Sequence, residues 1–171
     1  EQIILKHALV ANLALHLPDL VKKMNLPTSI LLLYPYAVER LADFLQSIGC
    51  DQYDSTGEFF CKDIRFVLGL SVPCGVLVID VVSSVTLQSL ILSAFRSRNL
   101  KGIIRYARAG GIGTWFRGHL DSRYVMEFNE RGFDNFYIRV AELLKQNKNV
   151  KGYVGTIWLY DPQLLKISPN L

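Results

Sequence analysis

The stretch from Val72 to Phe95 narrows the possible folds more than any other part of this chain. It is largely apolar and longer than the ~20 residues a helix needs to cross a bilayer. Yet Pro73, Gly75, Asp80, Ser83, Ser84, Thr86, Gln88 and Ser89 interrupt it and put an acid near its middle, where a charge is costly in lipid. The pattern predicts burial inside a protein instead: a strand over 75–82, then a helix capped by Ser83 or Ser84 and running to about Arg98.

The flanking segments extend this reading to a mixed order of helices and strands. Residues 3–15 are apolar on nearly every side, as in a buried helix, and Pro18 is placed to open a second short helix reaching about Met24, ended by Pro27. A short strand is expected over 30–34. Pro35 then falls in the first turn of a helix whose Val38, Leu41, Phe44, Leu45 and Ile48 share one face, with Gly49 as its stop. Residues 51–57 are turn formers. Residues 59–70 alternate imperfectly and read as an outer strand, joined through 71–74 to the inner strand that is apolar on both faces. Asn129 or Asp134 can start a helix to about Gln146, with Phe136, Val140, Leu143 and Leu144 inward, and 152–160 reads as a final strand ended by Asp161-Pro162.

The expected fold is therefore α/β in the broad sense (α+β): one domain over 1–171, with a mainly helical part at 1–49 and a mixed sheet flanked by helices at 57–171. With 171 residues, half of them hydrophobic, the chain can bury one substantial core without disulfides or metals. Its three cysteines, Cys50, Cys61 and Cys74, are widely spaced and never form Cys-x-x-Cys, which points away from a disulfide framework or thiolate metal site and toward a reducing, cytoplasmic setting. His7 and His16 have no acid or cysteine at ligand spacing and read as helix residues, so no metal is expected. The chain opens on Glu-Gln without signal-peptide character, as a start trimmed from something longer would.

Charge is unevenly distributed. Arg96, Arg98, Lys101, Arg105, Arg108, Arg117 and Arg123 face a single acid, Asp121, giving a local charge of +6 in a chain of net charge +4. Inside this stretch lies Arg108-Ala109-Gly110-Gly111-Ile112-Gly113, a cluster of the kind that lets backbone N–H groups approach an anion. An anionic small molecule is the expected partner.

Arg108-x-x-Gly111-x-Gly113 fits the Arg/Gln-x-x-Gly-x-Gly/Ala pattern and resembles the loop with which acetyltransferases of the GNAT superfamily hold the pyrophosphate of acetyl-coenzyme A. In that family the loop follows a strand and opens a helix; here 101–107 read as a basic helix or coil. Gly118-His119-Leu120, the helix over 133–144, and Val154 through Leu164 also resemble the closing strand, helix and strand of GNAT-like bacterial acyltransferases. Trp158, Leu159, Asp161, Pro162 and Leu164 match their terminal sequence, with Ile157 in place of a serine. Asn129-Glu130-Arg131-Gly132-Phe133-Asp134 further resembles a segment of an uncharacterised bacterial protein family.

The resemblance implies a GNAT-like fold and an N-acyltransferase, or a degenerate relative, using acetyl- or another acyl-coenzyme A. Arg108, Gly110, Gly111 and Gly113 would lie at the donor phosphates. Acyl transfer needs a group to take the acceptor amine's proton, for which Glu127 and His119 are the candidates, and one to protonate the departing thiolate, for which the resemblance offers Tyr137. Trp158, Tyr160 and Asp161, at a strand end, can line the substrate pocket. Cys74 can act as a nucleophile only if folding brings it a histidine.

The alternative is a non-enzymatic module that binds an anionic partner through 96–123. Nucleic acid would use the phosphate-seeking arginines and the stacking aromatics Phe95, Tyr106, Trp115 and Phe116. An anionic membrane surface would require Trp115 and Phe116 exposed at a loop tip.

Overall fold

The computed structural model describes residues 2–47, 58–81, 84–85, 92, 104, 107–108, 111 and 113–155. The helical front consists of α1 (Gln2–Ala14), α2 (Leu17–Val21), α3 (Thr28–Leu31), α4 (Tyr34–Ser47) and α5 (Glu58–Val67). The strands are β1 (Ser71–Pro73), β2 (Leu77–Asp80), β3 (Ser84–Val85), β4 (Gly113–Thr114), β5 (Phe116–Leu120) and β6 (Tyr153–Gly155). Between β5 and β6 come a 3-10 segment, Ser122–Glu127, and the long helix α6, Glu130–Gln146.

Two expected strands are helical. Residues 30–34 run from the end of α3 through a turn at Leu32 and Leu33 to the start of α4, because the chain turns after the extended Pro27, and Ile30 and Leu31 both donate back to the Pro27 carbonyl. Residues 59–67 form α5. Phe60, Ile64 and Val67 fall three and four residues apart and share a helical face, so the helical period outweighed the broken alternation. The inward face of α5 also carries Asp63, an acid that disguised the stripe in the sequence. The helix ends in a Schellman arrangement: Leu70 N–H donates to the Arg65 carbonyl across Gly69, whose φ of +67° suits a residue without Cβ.

The hairpin accordingly sits one element later than expected, between β1 and β2, which pair Ser71 with Asp80 and Pro73 with Val78. Gly75, at φ +96°, supplies the left-handed turn between them. The four-stranded sheet runs β1-β2-β5-β6, antiparallel except for β5 and β6. A parallel neighbour needs a crossover, and α6 provides it. Asn129 caps α6 by accepting from Gly132 N–H, and Phe136, Val140 and Leu143 are its buried face, as the pattern predicted. Ser84, expected as a helix cap, is instead a strand residue opposite Thr114, while Val85 faces Gly113. Of the helix expected to run to Arg98, Leu92 is described and is helical; its other residues beyond Val85, the turn over 51–57, Ile48, Gly49, and the strand beyond Gly155 lie outside the described residues.

Two apolar clusters hold these elements. Val72, Leu77, Ile79 and Phe116 of the sheet pack with Phe136, Val140 and Leu143 of α6 and with Leu17, Ile30 and Tyr34. A smaller cluster joins Val10, Leu41 and Val67 of α1, α4 and α5. The fold is α+β with a mixed sheet and a helical N-terminal part, and no helix among the described residues is long and apolar enough to cross a membrane.

Candidate functional site

Side chains alternate across a strand, so the residues of β1, β2 and β5 that do not enter the core share the opposite face. The register aligns Ser71, Asp80 and Arg117 in one row across three strands, and Pro73, Val78 and His119 in the next. These six line one side of a cleft of about 480 Å³. Opposite them stand Arg40 and Leu41 of α4, Lys62, Asp63, Arg65 and Phe66 of α5, and Asp121, Arg123 and Tyr124.

Two ion-pair nodes organise the polar lining. At the sheet, Asp80 is buried, and its Oδ2 lies 2.6 Å from Nε2 of His119. Arg65 reaches the same carboxylate with Nε at 3.1 Å from Oδ1 and Nη2 at 3.1 Å from Oδ2. Burial by itself would raise the Asp80 carboxyl, but the hydrogen bonds and charges of His119 and Arg65 outweigh it and hold the group below the ordinary carboxylate range. An ionised carboxylate only accepts, so the His119 nitrogen facing it carries a proton; in the neutral form of the ring the acceptor is then Nδ1.

At the second node, Arg123 Nη2 lies 2.8 Å from Asp63 Oδ1 and 2.7 Å from Asp121 Oδ2, while its Nε donates to both Asp121 oxygens at 3.0 and 3.1 Å. The guanidinium also lies 4.8 Å from the Phe44 ring centre. Asp121 caps the 3-10 segment by accepting from Arg123 N–H at 3.0 Å. Burial opposes charge on both partners, yet the pairing prevails: Asp121 is held below and Arg123 above its ordinary range. Arg40 donates to the Arg123 carbonyl and to the Tyr36 hydroxyl, and its guanidinium lies 4.1 Å from the Tyr124 ring centre. Burial, followed by the Asp121 charge, pushes the Tyr124 hydroxyl up to about 12.

Of the residues that the sequence singled out, His119 lines this cleft. Glu127 ends the 3-10 segment, close to Gly75, and Tyr137 is half-exposed on α6 with its ring against Phe136; neither contributes to the cleft lining. Arg108 is exposed. Gly111, at φ +68°, has open space where a Cβ would stand, and its carbonyl accepts from Trp115 Nε1 at 3.2 Å. Gly113 leads into β4, so the segment enters a strand where the GNAT loop opens a helix. Gly110, Trp158, Tyr160 and Asp161 lie outside the described residues.

Trp115 and Phe116 are buried, which removes them as contacts for a membrane surface or for stacking on bases. Cys74 is fully buried and its thiol is pushed well up by burial, so it is a packing residue rather than a nucleophile. Among the described residues no three His, Cys, Asp or Glu side chains gather in a way that could hold a metal ion.

The sequence reading missed the partners of His119. Asp80 was visible as an acid in an apolar strand, and since a buried charge needs a partner, it announced that a cation or imidazole would meet it. Asp63 and Arg65 were hidden by the strand reading of α5. No protein-family model, curated protein or solved structure matches this chain.

Proposed function

We propose that this chain is an N-acyltransferase of GNAT-like type that works in the cleft, with His119 as its base. The observation that supports this reading is the 2.6 Å contact between His119 Nε2 and the buried Asp80, which holds a cleft-lining imidazole in place and makes Nδ1 the acceptor in its neutral form. Acyl transfer asks little else of side chains. The acceptor amine gives a proton to His119 as its nitrogen attacks the thioester carbonyl, the C–S bond breaks, and the imidazolium returns that proton to the departing thiolate, which restores the base. Asp80 orients the imidazole and stabilises its charged form, as a carboxylate does for histidine bases generally.

The donor phosphates are assigned to Arg108, Gly110, Gly111 and Gly113 on the sequence pattern. The open, left-handed Gly111 suits a backbone approached by an anion. With β4 starting at Gly113, attraction would come from arginine charge rather than a helix dipole at that end. Tyr137 and Glu127, away from the cleft lining, have no part in this mechanism.

Calorimetric binding of acetyl-coenzyme A, with Arg108→Ala and Gly111→Val as controls, tests the donor. A transfer assay over a set of amines tests the reaction. Saturable binding lost in both variants, and transfer reduced about 10²–10⁴-fold by His119→Ala, are the expected results. A folded sample that neither binds nor transfers overturns the reading and leaves the basic stretch as a docking surface for an anionic partner.

A further inference from the structure

The guanidinium groups of the cleft are not equivalent. Arg65 is committed to Asp80, Arg123 to Asp63 and Asp121, and Arg40 to the Arg123 carbonyl and the Tyr36 and Tyr124 rings. Arg117 is exposed, lines the same cleft, and has no carboxylate partner among the described residues. It stands on β5 two positions before His119, and residues two apart share a strand face about 7 Å from one another.

We infer that Arg117 is the anchor for an anionic group on the acceptor, so that the substrate is a primary amine carrying a carboxylate or phosphate a few bonds from its nitrogen. This inference rests on the cleft being the acyl-transfer site. A guanidinium presents a planar fork of donors that matches two oxygens of a carboxylate or phosphate. With the anion seated there, the far end of a short acceptor spans the two-residue step along the strand to the His119 imidazole. The cleft's three carboxylates are each engaged by a cation, Asp80 by Arg65 and the pair Asp63 and Asp121 by Arg123, with Lys62 adding its charge near Asp121; Arg40, Lys62, Arg65, Arg117 and Arg123 outnumber the three acids, so the net charge of the lining is positive.

The test follows the His119 imidazole resonances by NMR while 4-aminobutyrate, phosphoethanolamine and n-butylamine are titrated separately, without any acyl donor. The expected result is a saturable shift of the His119 signals with at least one anionic amine, at a concentration about tenfold or more below that needed for n-butylamine. Which of the two anions binds better identifies the group. Arg117→Ala removes that advantage, Arg117→Lys restores part of it, and Arg131→Ala, at an exposed position of α6, leaves it intact. Equal binding of all three probes, an advantage that survives Arg117→Ala, or binding that leaves His119 unmoved overturns the inference. Unchanged unliganded His119 signals in the Arg117 variants establish that the site is still assembled. Because no donor is present, loss of acyl transfer with retained Arg117-dependent binding counts against the reaction alone.

Discussion

Strands β2 and β5 carry opposite chemistries on their two faces. One presents Leu77, Ile79 and Phe116 to the core with α6, while the other presents Asp80, Arg117 and His119 to the cleft. The apolar face stabilises roughly in proportion to the area it removes from water, and no single contact is indispensable to the rest. The cleft face is built differently. Each buried charge there was desolvated at a cost that is returned only while its partner stays in place. Truncation therefore leaves a void on one face and a stranded ion on the other.

The largest effect should come from the apolar face. Phe136 is fully buried, and its ring packs edge-on to Tyr153 at 5.5 Å, so Phe136→Ala should cost about 3–5 kcal/mol in chemical denaturation. A loss below about 1 kcal/mol would mean that this face is not what holds the domain together.

Arg123→Ala should cost about 3 kcal/mol, less from lost attraction than from leaving Asp63 and Asp121 buried without a counter-ion. The contrast is sharpened by adding Asp63→Asn and Asp121→Asn to that variant, which should recover much of the loss; a cavity in the apolar core has no such remedy. If the neutralised triple variant is no more stable than Arg123→Ala, stranded charge is not the cause.

Acid separates the two faces without mutation. Asp80 and Asp121 are held below their unfolded values, so the stability they contribute is present above about pH 4 and is lost as pH falls through their folded values. Denaturant midpoints should fall with pH in that window, and Asp80→Asn should flatten the fall. A slope identical to that of the native chain would assign the acid sensitivity elsewhere.

His119→Ala should have the smallest effect on stability, under about 1 kcal/mol, because its side chain is partly exposed and Arg65 still covers Asp80. It should nevertheless abolish most transfer. Variants that lose stability and activity in proportion would make His119 a structural member of the cleft wall rather than its base.

Local signals carried much of the architecture. Asn129 at the head of α6, the inward spacing of Phe136, Val140 and Leu143, Pro35 in the first turn of α4, and the apolar run of β2 were all legible, because capping, proline geometry and apolar spacing act within a few residues. Where two periods competed, the chain alone did not decide. In α5 an inward-facing acid broke the apolar stripe, and only its ion pair with Arg123, sixty positions further on, accounts for its place on that face.

The candidate site shows the same division more sharply. From the sequence, His119 was one of several possible bases, and the basic stretch marked an anionic partner without saying where it would sit. Its members scattered on folding: Trp115 and Phe116 went into the interior, Arg123 into an ion-pair node, and Arg117 to the wall of a cleft. What the sequence by itself determined is the set of elements with local causes and the surplus of positive charge. The tertiary structure alone decided which charges are spent on one another and which remain, since partners such as Asp80 and His119 meet through strand pairing across a long stretch of chain.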